Sequence, residues 1–101
     1  MDLNELTACE AGRFLRDKSI SSVELTRACL QRIAQRNSDV GAFRHIDPDF
    51  SLAEAARADR EAPRSLLHGI PFAVKDVIDT QDFPTEYGTK VHAGRRPSVD
   101  A

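Results

Sequence analysis

Lys75 is the residue on which a chemical argument can be built. It lies within Pro71-Phe72-Ala73-Val74-Lys75-Asp76-Val77-Ile78, a β-branched, apolar run whose side chains should be buried. An amine placed there pays a desolvation penalty unless it pairs with a carboxylate or gives up its proton. On a strand, Asp76 would point to the opposite face, while Asp79 would share the lysine's side two positions farther on. Two readings follow. One is a lysine at the edge of the core, paired with a carboxylate. The other is an amine held neutral and available as a base; bringing a lysine from about 10.4 to about 7.5 takes roughly 4 kcal/mol, within the reach of burial.

The elements that must position this residue begin with helices. Thr7 and Glu10 form a T-x-x-E capping box ahead of Ala8, Ala11, Phe14 and Leu15, which predicts a first helix ending near Asp17. Ser21 and Glu24 repeat the device, and Val23, Thr26, Leu30 and Ile33 predict a second helix from Ser22 to Arg36, stopped by Asn37 and Ser38. Residues 42–46 (AFRHI) read as a short strand. Pro48 and an alanine-rich stretch predict a third helix from Pro48 to Arg60, followed by a linker at 62–65. Residues 68–79 (HGIPFAVKDVID) then read as a strand buried on both faces, with Gly69 permitting the turn into it and Pro71 at its start. From Thr80 onward the chain is polar, with Pro84, Gly88, Gly94 and Pro97, and reads as a long loop that lines a binding site or packs on other chain. The class expected from this order is α/β, with helices packed on a mixed sheet.

Composition narrows the function. The 101 residues carry 14 basic and 16 acidic side chains, a formal net charge of −2, without the basic footprint of a nucleic-acid binder. No stretch approaches the roughly 18 apolar residues of a membrane span, and the N-terminus lacks the basic start and apolar run of a secretory signal. Cys9 and Cys29 form neither a metal spacing nor a redox pair, and read as buried free thiols of a cytoplasmic protein. His45, His68 and His92 show no ligand spacing, so neither a metal nor a cofactor is expected.

The segment LHGIPFAVKDVIDTQDFPTEYGT resembles the lysine-bearing stretch of the amidase signature family, through His68-Gly69-Ile70-Pro71, Lys75-Asp76, Pro84-Thr85 and Gly88 at matching spacing. The preceding SSVELTRACLQRIAQRN, AFRHID and AEAARADRE are similar to that family's N-terminal helices and first strand, so the likeness runs from about Leu3 to Ala101. The resemblance implies hydrolysis of a small-molecule amide by a serine–cis-serine–lysine triad, with Lys75 as the catalytic base and backbone N–H groups as the oxyanion hole. The family's two serines lie in a glycine- and serine-rich signature beyond the lysine. Ser21 and Ser22 instead open a helix, where capping accounts for them, and Ser98 follows a proline with no elbow motif around it. Residues 1–101 are therefore expected to be the N-terminal portion of one amidase domain, supplying the lysine and inactive alone. DVIDTQDFPTEYGT is closer to general amidases. The alternatives are the A subunit of an amidotransferase that releases ammonia from glutamine for use on charged transfer RNA, and a non-catalytic interaction remnant. No direct contact with nucleic acid or membrane is implied, and a homo-oligomer stays open.

Overall fold

The computed structural model describes residues 2–101. Among them are three α-helices, α1 (Ala8–Arg16), α2 (Ser22–Val40) and α3 (Pro48–Arg60), with 3-10 turns at Leu3–Glu5 and Lys90–His92. The chain divides into two compact units, one ending at Pro71 and the other spanning Phe72–Ala101. None of the helices is long and apolar enough to cross a membrane.

The helical unit follows from its caps. The Thr7 hydroxyl accepts the Glu10 N–H at 3.1 Å, and the Glu10 carboxylate accepts the Thr7 N–H at 2.9 Å, closing the expected box. Those bonds, the backbone one foremost, hold the Glu10 carboxyl below its usual value. Asp17 terminates α1 as expected. Ser21 caps α2 by accepting the Glu24 N–H at 3.0 Å. That helix runs four residues beyond the expected stop at Arg36. Asn37 and Ser38 are tolerated inside it, and the chain leaves only at Gly41, where φ of +65° suits a residue without Cβ. Asp47 caps α3 through the Phe50 N–H at 3.0 Å, and Pro48 occupies the first turn, so this helix has the boundaries the sequence predicts.

Helix α2 packs against α3 and against the turn at Leu3–Glu5. Its buried side chains are Ser22, Leu25 and Thr26; α1 contributes Ala11 and α3 contributes Ala55. The three N–H groups at the start of α2 are all satisfied. Asp59 of α3 accepts those of Ser22 at 2.7 Å and Val23 at 3.2 Å, and Ser21 takes that of Glu24. The Ser22 hydroxyl donates to the Gly69 carbonyl at 2.6 Å, so capping explains Ser21 but not Ser22, which ties α2 to the segment after α3. His68 belongs to the same junction, its Nε2 lying 2.9 Å from the Ala58 carbonyl. Both cysteines are free, but only Cys29 is partly buried, which pushes its thiol up; Cys9 is exposed, not buried as expected.

The α/β class expected from the sequence is corrected by the absence of any strand among the described residues. A strand exists through a ladder with a neighbour, and neither 42–46 nor 68–79 has one. Around 42–46, the Asn37 side chain takes over the backbone groups of Phe43, donating to its carbonyl at 3.0 Å and accepting its N–H at 2.9 Å. In 68–79, Gly69 makes the expected turn at φ +85°, but Phe72 is then 84% exposed, and Val74, Val77 and Ile78 are exposed as well. The apolar pattern of a doubly buried strand is present; the surfaces that would bury it are not.

Candidate functional site

The Phe72–Ala101 unit contains Lys75 and is built almost wholly from loop hydrogen bonds. Its innermost residue is Thr85, 1% exposed. The Thr85 N–H donates to the Arg95 carbonyl at 2.8 Å; its hydroxyl donates to the Ile78 carbonyl at 3.4 Å and accepts the Thr80 N–H at 3.3 Å. Glu86, also buried, accepts the Gly94 N–H at 2.6 Å. These contacts satisfy the polar atoms that a buried loop would otherwise leave unpaired.

Lys75 stands at the entrance to this framework. Its carbonyl accepts the Ile78 N–H at 3.0 Å, which turns the chain immediately after it. Its side chain is exposed, so the burial argued from the apolar run is absent in these 101 residues. Neither neighbouring carboxylate has its hydrogen bonds directed to it. The two Asp76 oxygens accept the N–H groups of Glu86 at 2.8 Å and Gly88 at 3.2 Å, and the Asp76 carbonyl accepts that of Tyr87 at 2.9 Å. Asp79 accepts two bonds from the Arg95 guanidinium, at 2.9 and 3.3 Å, and one from the Tyr87 hydroxyl at 3.0 Å. The reading of Lys75 as the partner of a core-edge carboxylate is therefore not met by Asp76 or Asp79.

The Asp79 cluster is the best-defined electrostatic feature of the unit. The Arg95 bonds, followed by the Tyr87 hydroxyl, hold the Asp79 carboxyl below its usual value. Donation to that carboxylate pushes the Tyr87 phenol up. The Arg95 guanidinium lies 4.9 Å from the Tyr87 ring centroid, and His92 meets the same ring edge-on at 5.3 Å. Tyr87 thus packs against Arg95 and His92 of its own loop. Arg96 braces the far side through the carbonyls of Gln81 and Asp82. Ser98 is exposed, and Ser21 and Ser22 serve α2, so no serine is brought to Lys75 within this unit. Among the described residues no group of three or more His, Cys, Asp or Glu side chains is arranged to hold a metal ion.

Two roles are not legible in the spacing. Strand alternation only turns Asp76 away from Lys75, and no strand forms there, while Arg95 lies sixteen residues from its partner Asp79 in a loop without periodicity. The signal for Asp76 lies in Gly88 alone: a glycine in a polar loop favours a left-handed turn, and such a turn presents N–H groups that need an acceptor.

The unit presents Lys75 as an exposed amine on a braced loop. Comparison with known proteins supplies the context. Residues 24–101 match the family model described as Amidase. The chain is 45% identical over 104 residues to the A subunit of a glutamyl-tRNA(Gln) amidotransferase from Chloroflexus aurantiacus, covering 99% of this chain and 21% of that protein. The corresponding A subunit of Nocardia farcinica is 40% identical, with the same coverage of both chains. That of Mycobacterium bovis is 42% identical over 89 residues, 83% of this chain and 18% of its own. The chain spans about a fifth of the length of the relatives it matches. With more than half of its residues, Lys75 and the braced loop among them, inside the matched region, the chain belongs to the amidase family.

Proposed function

We propose that these residues carry the base of a glutamine-hydrolysing amidase of the amidotransferase A-subunit type. In this reading Lys75, covered by the remainder of such a protein, takes a proton through one serine while a second attacks the side-chain amide of glutamine. The ammonia released serves amidation of a charged transfer RNA. The observation that supports it is the identity of 40 to 45% along 99% of the chain to proteins named as A subunits of glutamyl-tRNA(Gln) amidotransferases. The general amidase suggested by DVIDTQDFPTEYGT yields to this reading, because likeness along the whole chain outweighs one fourteen-residue stretch.

The test is a chimaera in which the present chain replaces the corresponding fifth of the Chloroflexus relative. Ammonia release would be measured from glutamine and from a panel of aliphatic and aryl amides. The proposal expects glutamine to be preferred, with the rate lost in Lys75→Ala. Preference for aryl amides would restore the general-amidase reading, and no dependence on Lys75 would remove both.

A further inference from the structure

We infer that Asp76 is a positioning residue for Lys75, clamping the lysine's backbone to the loop that follows. The inference rests on the reading of Lys75 as a base. Three consecutive N–H groups, those of Glu86, Tyr87 and Gly88, converge on Asp76 at 2.8, 2.9 and 3.2 Å, two meeting the carboxylate and one the carbonyl. They converge because Tyr87 and Gly88 both adopt left-handed conformations, at φ +57° and +70°. Successive N–H groups presented this way form an anion-binding concavity, and the anion filling it here is the Asp76 carboxylate. For Tyr87, which has a Cβ, that conformation is strained, and it persists because its surroundings over-determine it.

The far side of the clamp is fixed. Thr85 and Glu86 are buried, tied to Ile78, Thr80, Gly94 and Arg95. The near side is one peptide unit, ~3.8 Å between Cα atoms, from Lys75. Asp79 is committed to Arg95 and Tyr87, which leaves Asp76 as the carboxylate that links Lys75 to the braced loop. A base displaced by 1 Å can lose about 10²-fold in rate, so a side chain that fixes its backbone bears on the chemistry without touching substrate.

Two measurements test this. In the full 101-residue chain, amide hydrogen exchange is followed by NMR. Asp76→Ala should lower protection at Glu86 and Gly88 by at least about tenfold, since their bonds to the carboxylate are lost, affect Tyr87 less, since its N–H meets the main-chain carbonyl that alanine keeps, and leave the amides of Ser22 and Leu25 unchanged. Asp76→Asn, with one acceptor oxygen, should fall between. Unchanged protection at Glu86 and Gly88 would overturn the clamp. In the chimaera described above, Asp76→Ala should lower kcat by about 10²-fold with KM altered less than about threefold. That loss should vanish when Lys75 is already alanine. A rise in KM at constant kcat, or a loss of full size in the Lys75→Ala background, would make Asp76 merely structural and overturn the inference. If Lys75→Ala alone left the rate intact, the base assignment would fail and the positioning role with it, while the exchange data would still show whether the clamp exists.

Discussion

Replacing Asp59 with alanine should destabilise the helical unit by about 1–2 kcal/mol, a figure reached by following the N–H groups at the start of α2. Asp59 accepts those of Ser22 at 2.7 Å and Val23 at 3.2 Å. Ser22 is 3% exposed, so its N–H, once orphaned, is poorly served by water, a penalty of about 1–3 kcal/mol that the exposed position of Asp59 holds toward the lower end. Val23 is only partly buried, so water can replace much of its bond. Against these losses, Asp59 lies in the last turn of α3, where a negative charge opposes that helix's own dipole; removing it returns about 0.3–1 kcal/mol. Asp59→Asn keeps one acceptor for the buried Ser22 N–H and should cost about half as much. The assay is urea unfolding followed by far-ultraviolet circular dichroism, to which all three α-helices contribute from this unit. With m near 1–2 kcal/mol/M, Asp59→Ala should lower the midpoint by on the order of 1 M at unchanged m. A change within about 0.5 kcal/mol, the usual range for surface substitutions, would refute the reasoning, as would an asparagine variant as damaged as the alanine one.

Other consequences can be read in the same way. Leu25→Ala, at a position 3% exposed, should cost about 2–5 kcal/mol by the same urea assay. Thr7→Ala breaks the α1 capping box and should cost about 1 kcal/mol, seen as a lower thermal midpoint. The Asp79 carboxyl is depressed in the folded chain, so its contribution to stability is present above the unfolded value of 3.8 and is lost as pH falls through the lower folded value. Tyr87 is the sole tyrosine and there is no tryptophan, so its fluorescence reports on this unit alone; Arg95→Ala should move the acid transition of that signal to higher pH.

The helices were legible because each carries its own punctuation. Thr7 with Glu10, Ser21 with Glu24, and Asp47 with Pro48 are local signals that need no distant partner, and all three starts are where those residues put them. The end of α2 was misjudged because Asn37 and Ser38 are weak breakers, whereas Gly41 supplies the left-handed residue that an α-helix end most often uses. The strand at 68–79 was a different kind of inference. Its apolar pattern specifies what surrounds the segment rather than its local conformation, and a chain spanning about a fifth of its relatives' length need not contain those surroundings. The loop after Thr80 has the little regular structure that its polar, proline- and glycine-containing sequence predicts. Its order comes from side chains meeting backbone across ten or more residues, as Asp76 does with Glu86 and Gly88, and spacing alone does not reveal such pairs.

The role of Lys75 is tested most directly by its own substitution in the chimaera with the Chloroflexus relative, with rate and melting temperature measured side by side. Lys75→Ala should lower glutamine hydrolysis by about 10²- to 10⁴-fold, the contribution of a positioned base, and leave the melting temperature essentially unchanged. Lys75→Arg should fail equally, because a guanidinium stays protonated and cannot accept the serine's proton. An arginine variant that kept most of its activity, or an alanine variant that lost activity and stability in parallel, would make the lysine structural and contradict the account.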